Sequence, residues 1–276
     1  MTSTGYPAPA TARRTARRAL TAVAALFLAA PPALGAQAPA ISAAFATAPS
    51  AAGARPARSV MSSGERSVYD VKYGAMKVGT GVMEVRGIEQ VRGRPAWHTV
   101  FSLKGGIPLY RVDDRLESWI DVQSFSSLRF HKENNEGRRH RVRTIELYPE
   151  RNTYRDLRDS VEQPAAEAPL DDASFLYFVR TIPLEVGQRY DFDRYFRPER
   201  NPVTLHVLRR ERITVPAGTF ETIVVRPIIK TKGIFAEGGN AEVWLTDDDR
   251  RLVVQLKAKV SFGSITMQMR EHQPRG

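Results

Sequence analysis

Between residues 65 and 272 the apolar positions of this chain alternate with polar ones over most of its length. That period of two gives a β-strand one buried and one solvated face. The longest such stretch, Thr204 to Ile229, breaks at Val215-Pro216-Ala217-Gly218. Leu205, Val207, Ile213 and Val215 precede the break, and Phe220, Ile223, Val225 and Ile229 follow it. Most are β-branched or aromatic, the side chains that fit a pleated, half-buried surface. Pro216 cannot donate to a ladder and Gly218 tolerates a positive φ, so the pattern predicts a hairpin.

The rest of the region reads the same way. Tyr69, Val71 and Tyr73 alternate with Asp70 and Lys72, and after a turn near Gly74 a second strand covers Val78 to Arg86. Beyond a turn at Gln90 to Pro95, Trp97, Thr99, Phe101 and Leu103 share a face. Gly105-Gly106-Ile107-Pro108 reads as an interruption before a strand over Tyr110 to Asp121. Leu128 to Lys132 is expected to pair with Arg138 to Tyr148 across Asn134-Asn135-Glu136-Gly137. Glu162 to Pro169 is a polar, Pro- and Ala-rich connector expected to loop out. Asp171 and Asp172 then offer an N-cap to a short helix over Ser174 to Thr181, where Phe175, Leu176, Phe178 and Val179 have helical spacing. Further strands are expected over Arg189 to Phe196, Glu242 to Thr246 and Leu252 to Phe262, with a turn at Asp247-Asp248-Asp249. Apolar residues hold even positions up to Phe262 and odd ones from Ile265 through Met267 and Met269. A strand cannot change its buried face without an extra residue or a reversal, so a bulge or bend is expected at Gly263. The sum is an all-β fold of about ten to twelve strands, mainly an antiparallel meander, barrel-like or sandwich-like, with one short helix.

A faint internal repeat runs through it. Gly93, Trp97-His98-Thr99-Val100, Lys104-Gly105, Glu117-Ser118-Trp119-Ile120-Asp121 and Leu128 recur in order as Gly218, Phe220-Glu221-Thr222-Ile223, Lys232-Gly233, Glu242-Val243-Trp244-Leu245 and Leu252. Two pseudo-repeated halves, or convergence of ordinary strand chemistry, would each produce it.

The N-terminus has a different texture. Arg13, Arg14, Arg17 and Arg18 precede an apolar run from Leu20 to Ala30, closed by Pro31-Pro32. This is the form of a secretory signal peptide, here 1–38, with cleavage after Ala36-Gln37-Ala38 or Ala33-Leu34-Gly35. The run is shorter than the roughly 20 residues that span a bilayer. Residues 39–64 are Ala, Pro and Ser with few large apolar side chains, a disordered linker before a single domain over 65–272. The chain contains no cysteine, which excludes a lipid-modified N-terminal cysteine, disulfides and thiolate metal sites. A periplasmic or secreted protein that is not a lipoprotein is expected.

Charge adds one candidate. The chain carries +11, and loss of the four leader arginines leaves +7, so anionic partners are favoured. The basic residues concentrate between Arg129 and Arg143. Lys132, Arg138, Arg139, Arg141 and Arg143 form a candidate anion-binding ribbon, read alternatively as a solvated edge guarded against aggregation. Arg139, Arg141 and Arg143 share one strand face and Arg138 and His140 the other, so the ribbon is expected to project, where it could meet an anionic membrane surface.

Other constellations point to no chemistry. His98, His131, His140, His206 and His272 fall in no metal-ligand spacing. Asp113-Asp114-Arg115-Leu116-Glu117 places neighbouring carboxylates on opposite strand faces beside a ready cation, the pattern of a structural ion pair. Asp247-Asp248-Asp249 lacks the glycine and closing glutamate of a calcium loop. There is no G-x-S-x-G and no phosphate loop. No catalytic residue, metal or cofactor is therefore assigned. Nucleic acid is excluded by the leader and by the lack of aromatic interleaving in the basic run.

Tyr69-Asp70-Val71-Lys72-Tyr73-Gly74, Val215-Pro216-Ala217-Gly218-Thr219-Phe220 and Val243-Trp244-Leu245-Thr246-Asp247 together resemble the bacterial domain of unknown function 3108, over roughly Ser67 to Met269. The resemblance implies an exported β-domain and supplies no site residue. The functional expectation is a non-catalytic envelope protein that holds an apolar or amphipathic ligand, such as a lipid or glycolipid, between its curved sheet and the helix. The alternatives are an envelope hydrolase with residues drawn from separate strands, and a scaffold for another envelope protein.

Overall fold

A computed structural model describes residues 60–107, 110–230, 241–259 and 264–274. The leader, the linker up to residue 59, Gly238-Gly239 and the expected bend at Gly263 lie outside the described residues. The strands are β1 (Arg66–Tyr73), β2 (Met76–Val91), β3 (Arg94–Ile107), β4 (Tyr110–Asp121), β5 (Ser127–Glu136), β6 (Arg139–Tyr148), β7 (Thr153–Asp156), β8 (Gln163–Pro164), β9 (Arg189–Phe192), β10 (Val203–Val215), β11 (Gly218–Ile228), β12 (Glu242–Thr246), β13 (Val253–Lys259) and β14 (Ser264–Gln273), with one helix, α1 (Ser174–Val179), between β8 and β9. All fourteen strands belong to one sheet, in the order β8-β7-β6-β5-β4-β3-β2-β1-β14-β13-β12-β11-β10-β9, and every neighbouring pair is antiparallel. Among the described residues the fold is an all-β, barrel-like meander with one short α-helix. Two more strands are present than the alternation counts, because β7 and β8 are too short to show it.

The pairing of β1 with β14, from Arg66↔Gln273 to Tyr73↔Ile265, joins an N-terminal meander to a C-terminal one. The apolar phase change has its explanation here: β13 and β14 run antiparallel from Gln255↔Gln268 to Lys259↔Ser264, so the chain reverses between them. The hairpin at Pro216-Ala217 forms as the pattern predicts, with Gly218 at φ 134°. The β2–β3 turn narrows to Arg92 and Gly93, at φ 50° and 77°, the double positive φ of a type I′ turn whose twist suits a hairpin. The two meanders share a detail that matches the sequence repeat. Trp119 Nε1 on β4 donates to Glu89 Oε2 on β2 at 2.8 Å, and Trp244 Nε1 on β12 donates to Glu211 Oε1 on β10 at 2.5 Å. Each indole thus ties a strand to the one two places before it.

Gly105-Gly106 is not an interruption. β3 runs through both glycines and pairs Gly105 with Val112 and Gly106 with Arg111. The glycines serve close approach: a Cβ at Gly105 would stand 2.4 Å from the carbonyl oxygen of Val78, and one at Gly106 2.5 Å from that of Tyr110. Missing side chains let the neighbours crowd and the sheet coil.

Helix α1 is buried on every side, Ser174 through Val179. Phe175 and Phe178 belong to one core cluster with Tyr69, Leu116 and Ile120 from the first meander and Leu205, Leu245, Leu256 and Ile265 from the second. Each such side chain contributes about 1.5–3 kcal/mol on burial. A helix so enclosed cannot leave its first N–H groups to water. Asp171 Oδ1 accepts from the backbone N–H of Ala173 at 2.8 Å and of Ser174 at 2.9 Å, while Oδ2 accepts from Ser118 Oγ on β4 at 2.5 Å. Asp171 is therefore the effective cap, and Asp172 points elsewhere. At the other end Arg180, also buried, forks onto Glu65 at 2.7 and 3.0 Å and fastens the helix to the start of β1.

The connector at 162–169 does not loop out. Gln163 and Pro164 pair with β7, Ala165 N–H donates to Asn152 O at 2.7 Å, Leu170 N–H donates to Arg194 O at 2.5 Å, and Phe196 N–H donates to Leu170 O at 2.9 Å. Small buried residues, Ala165 and Ala166, let this segment lie between the two sheet edges and bridge them. Beyond β9, Tyr195 keeps only a single parallel bridge to Leu170.

Two predictions follow from the cap and the glycines. Burial pushes the Asp171 carboxyl up to about 6 against its hydrogen bonds. Its folded-state affinity for the proton exceeds the unfolded one, so its contribution is full below about pH 4 and is lost as pH rises through about 6. Asp171→Ala should cost about 2 kcal/mol by orphaning two N–H groups. Asp171→Asn keeps an acceptor and removes the charge; in urea melts its stability relative to wild type should rise by about 2–3 kcal/mol from pH 4 to 7. A difference that does not change with pH would contradict the assignment. Gly105→Ala should destabilise by about 1–3 kcal/mol, and a midpoint within error of wild type would show that the strands do not crowd there.

Candidate ligand cavity

In the β5–β6 hairpin Lys132 lies opposite Arg143 and Asn134 opposite Arg141, so all four share one sheet face. Lys132 and Asn134 are buried, which an exposed edge ribbon would not require. β7 lies beside β6, with Asp156 opposite Ile145 and Tyr154 opposite Leu147. Across from them run Asp172, just before α1, and Tyr195, Phe196 and Arg197 after β9. These elements enclose a cavity of about 590 Å³ lined by Phe130, Lys132, Asn134, Arg141, Arg143, Tyr154, Asp156, Asp172, Tyr195, Phe196 and Arg197, with Val142, Arg158, Asp159, Val161, Gln163 and Glu199 also contributing. It sits beside the helix and the closed sheet edges. It is not between the sheet and the helix, because α1 is packed on all sides.

The carboxylates inside are already engaged. Asp156 accepts from Arg143 Nε at 2.6 Å, Arg158 Nη2 at 2.7 Å, Arg158 Nε at 3.0 Å and the Arg158 backbone N–H at 3.1 Å. Burial pushes its carboxyl up, but the bonds from Arg158 and Arg143 outweigh burial and hold it well below the usual carboxylate range. Asp172 Oδ2 is 3.4 Å from Lys132 Nζ, and its Oδ1 accepts from Tyr195 OH at 2.7 Å. Burial lowers the affinity of Lys132 for its proton, and Asp172 opposes that shift.

Arg197 is placed differently. Burial, then the nearby charges of Arg143 and Arg200, lowers its proton affinity, and Tyr154 and Tyr195 oppose that shift only in part. Its guanidinium carbon lies 5.4 Å from the Phe196 ring centre, and its Nε is a buried donor with no hydrogen-bond partner. The Asn134 side chain is also buried, but it faces Asp114 opposite it on β4 and helps to hold that carboxyl's charge. Tyr154 meets Phe196 edge-on at 5.1 Å and Tyr195 stands 5.0 Å from Phe196, an aromatic wall beside the cations. At the mouth Val142 and Val161 are 42% and 61% exposed. Such a site can hold a molecule with an apolar body and a negatively charged end.

Of the ribbon residues, Lys132, Arg141 and Arg143 line the cavity, whereas Arg138 and Arg139 stand exposed at the hairpin tip outside it. Asp156, Asp172, Tyr195 and Arg197 carried no sequence signal toward this site; only the run Tyr195-Phe196-Arg197, an aromatic pair followed by a cation, could have drawn notice. Elsewhere His98 and Glu117 do meet. His98 stacks on Trp119 at 4.4 Å and bonds Glu89 Oε1 at 2.8 Å and Glu117 Oε2 at 2.7 Å. Arg115 Nε holds the other oxygen of Glu117 at 2.6 Å on its own strand. Asp113 pairs with Lys104 at 3.2 Å, and buried Asp114 accepts from the Asn135 N–H at 3.0 Å. Every member of that acidic run is thus tied into the sheet. Among the described residues no three His, Asp or Glu side chains are grouped to hold a metal ion, and no helix is long and apolar enough to cross a membrane.

A search of curated proteins finds no match. Among solved structures the chain is similar to a β-barrel-like protein of domain of unknown function DUF1849 from Brucella abortus, at 9% identity and a TM-score of 0.50, over 79% of this chain and 100% of that one. It is also similar to the hypothetical protein CT021 from Chlamydia trachomatis, at 9% identity and a TM-score of 0.36, over 80% of this chain and 91% of that one. At such identity the likeness to the Brucella protein concerns the fold alone. The family model described as protein of unknown function (DUF3108) matches residues 68–270, most of the chain, and the chain belongs to that family.

Proposed function

We propose that this is an exported envelope protein, non-catalytic, that binds an amphipathic ligand in the cavity between the β5–β7 strands and the Tyr195–Arg197 segment. The observation that carries the reading is the cavity itself. About 590 Å³ falls within the 300–1,000 Å³ range of small-molecule sites, and one wall is aromatic while the other is polar. A leader without a cysteine supports export to the periplasm or beyond. Asp156 is engaged by Arg143 and Arg158 and Asp172 by Lys132 and Tyr195, which favours binding over hydrolysis.

A neutral fluorescent amphiphile, N-phenyl-1-naphthylamine, tests the cavity. Wild type should bind it saturably with one site, and Val142→Trp or Val161→Trp, each at the exposed mouth, should weaken binding at least about tenfold, about 1.4 kcal/mol, without shifting the melting temperature. Saturable binding unchanged in both variants would place the site elsewhere, and no saturable binding would remove the reading.

The same end of the molecule is proposed to face an anionic membrane through Arg138 and Arg139. Each exposed cation near such a surface contributes about 1 kcal/mol, screened over about a Debye length. Replacing both by Gln should lower sedimentation with anionic vesicles at low salt by about 30-fold in partition coefficient. Equal sedimentation of variant and parent would return the tip to a guarded edge.

A further inference from the structure

The cavity lining is not neutral in the way its paired residues suggest. Asp156 is held by Arg143 and Arg158, and Asp172 by Lys132 and Tyr195. Among the described residues Arg197 has no carboxylate in an ion pair with it, and Arg141, at the mouth, has only the nearby charge of Glu136. Asp159 and Glu199 are exposed, where water screens them. A half-buried cation crowded by Arg143 and Arg200, with a buried and unbonded Nε, is costly unless an acceptor meets it. An anion would satisfy Arg197 and draw on Arg141 beside it, and guanidinium forks match carboxylate and phosphate oxygens in pairs. The adjacent surface is aromatic, with Phe196 against Tyr154, so the charged end and the apolar body of one molecule would lie side by side.

We propose that the ligand of this cavity is an anionic amphiphile, a single-chain fatty carboxylate or lysophosphatidate, whose head group is bound by Arg197 and Arg141 and whose chain lies along Phe130, Tyr154 and Phe196. This rests on the reading that the cavity takes an amphipathic ligand, and it adds the sign of the charge and the residues that select it. Arg143 and Lys132 set the positive potential without giving up their own carboxylates. The neutral amphiphile of the same length loses the charge-assisted head-group bonds and leaves Arg197 without an anion.

The test compares oleate, oleoyl lysophosphatidate and oleyl alcohol as competitors of the bound naphthylamine, using the mature protein. Wild type should prefer at least one anion over the alcohol by about tenfold or more, and whichever anion binds tighter identifies the head group as carboxylate or phosphate. Arg197→Gln should reduce that preference to about threefold or less while oleyl alcohol binds as before. Arg141→Gln, at an exposed position, should narrow the preference in the same direction and keeps the test valid should Arg197→Gln unfold. Equal affinity of the alcohol and both anions for wild type would overturn the anionic assignment and leave the amphiphile reading standing. An anion preference untouched by either substitution would overturn the assignment to these residues. If none of the three competes, both readings fall.

Discussion

A helix of six residues with no solvent-facing side has to be enclosed by something, and here only a sheet is available to do it. A flat sheet covers one side of a cylinder about 10 Å across; covering all sides requires the sheet to curl around it. The meander does so by placing its first strand between β2 and β14, so that both halves grow outward from one central pair and close around the helix. The glycines at 79, 105 and 106 relieve the crowding that the curl produces. Asp171 makes the enclosed position tolerable by accepting the N–H groups that water would otherwise take. The two remaining edges, β8 and β9, are short, and the chain between them bridges the gap.

The cavity is a consequence of that closure. A regular ladder cannot continue where β7 and β8 end and β9 begins, and the connecting segments approach without filling the space between them. What lines the space is decided by the strands already fixed on either side. β5 and β6 present every second residue inward, which brings in Lys132, Asn134, Arg141 and Arg143, and the irregular return after β9 supplies Tyr195, Phe196 and Arg197. The contrast with the His98 cluster is instructive. There Arg115 and His98 hold the oxygens of Glu117, and His98 and Trp119 those of Glu89, so no carboxylate oxygen is left over. In the cavity Arg197 is left over, with its buried Nε unbonded.

Much of the fold was legible because its residues have one job each. The Pro216-Ala217 hairpin, the cap at Asp171 and the even-to-odd change before Ile265 each reflect a constraint local enough to be written in a few adjacent residues. Gly105-Gly106 misled because the same residue type marks a turn and a close crossing, and only the distance to Val78 separates the two. The 162–169 connector misled because its composition is that of a loop, while its role depends on an edge strand far away in the chain. The ribbon was visible as charge, but its division into cavity-lining and tip residues depends on pairing with β7 and on the segment after β9. Arg197 showed in the sequence only as a cation after an aromatic pair, since what sets it apart is the lack of a carboxylate partner, and that is a property of the folded surroundings.

The claim that joins these observations is that an anionic amphiphile occupies the space the closing sheet leaves open. A crystal structure of the protein with a fatty acid brominated along its chain tests it most directly, because anomalous scattering locates the chain independently of the protein density. The account predicts bromine peaks beside Phe130, Tyr154 and Phe196 and the carboxylate within hydrogen-bond distance of Arg197. Bromine peaks confined to the outer face of the sheet, or a chain in the cavity with its carboxylate directed away from Arg197 and Arg141 into solvent, would contradict it.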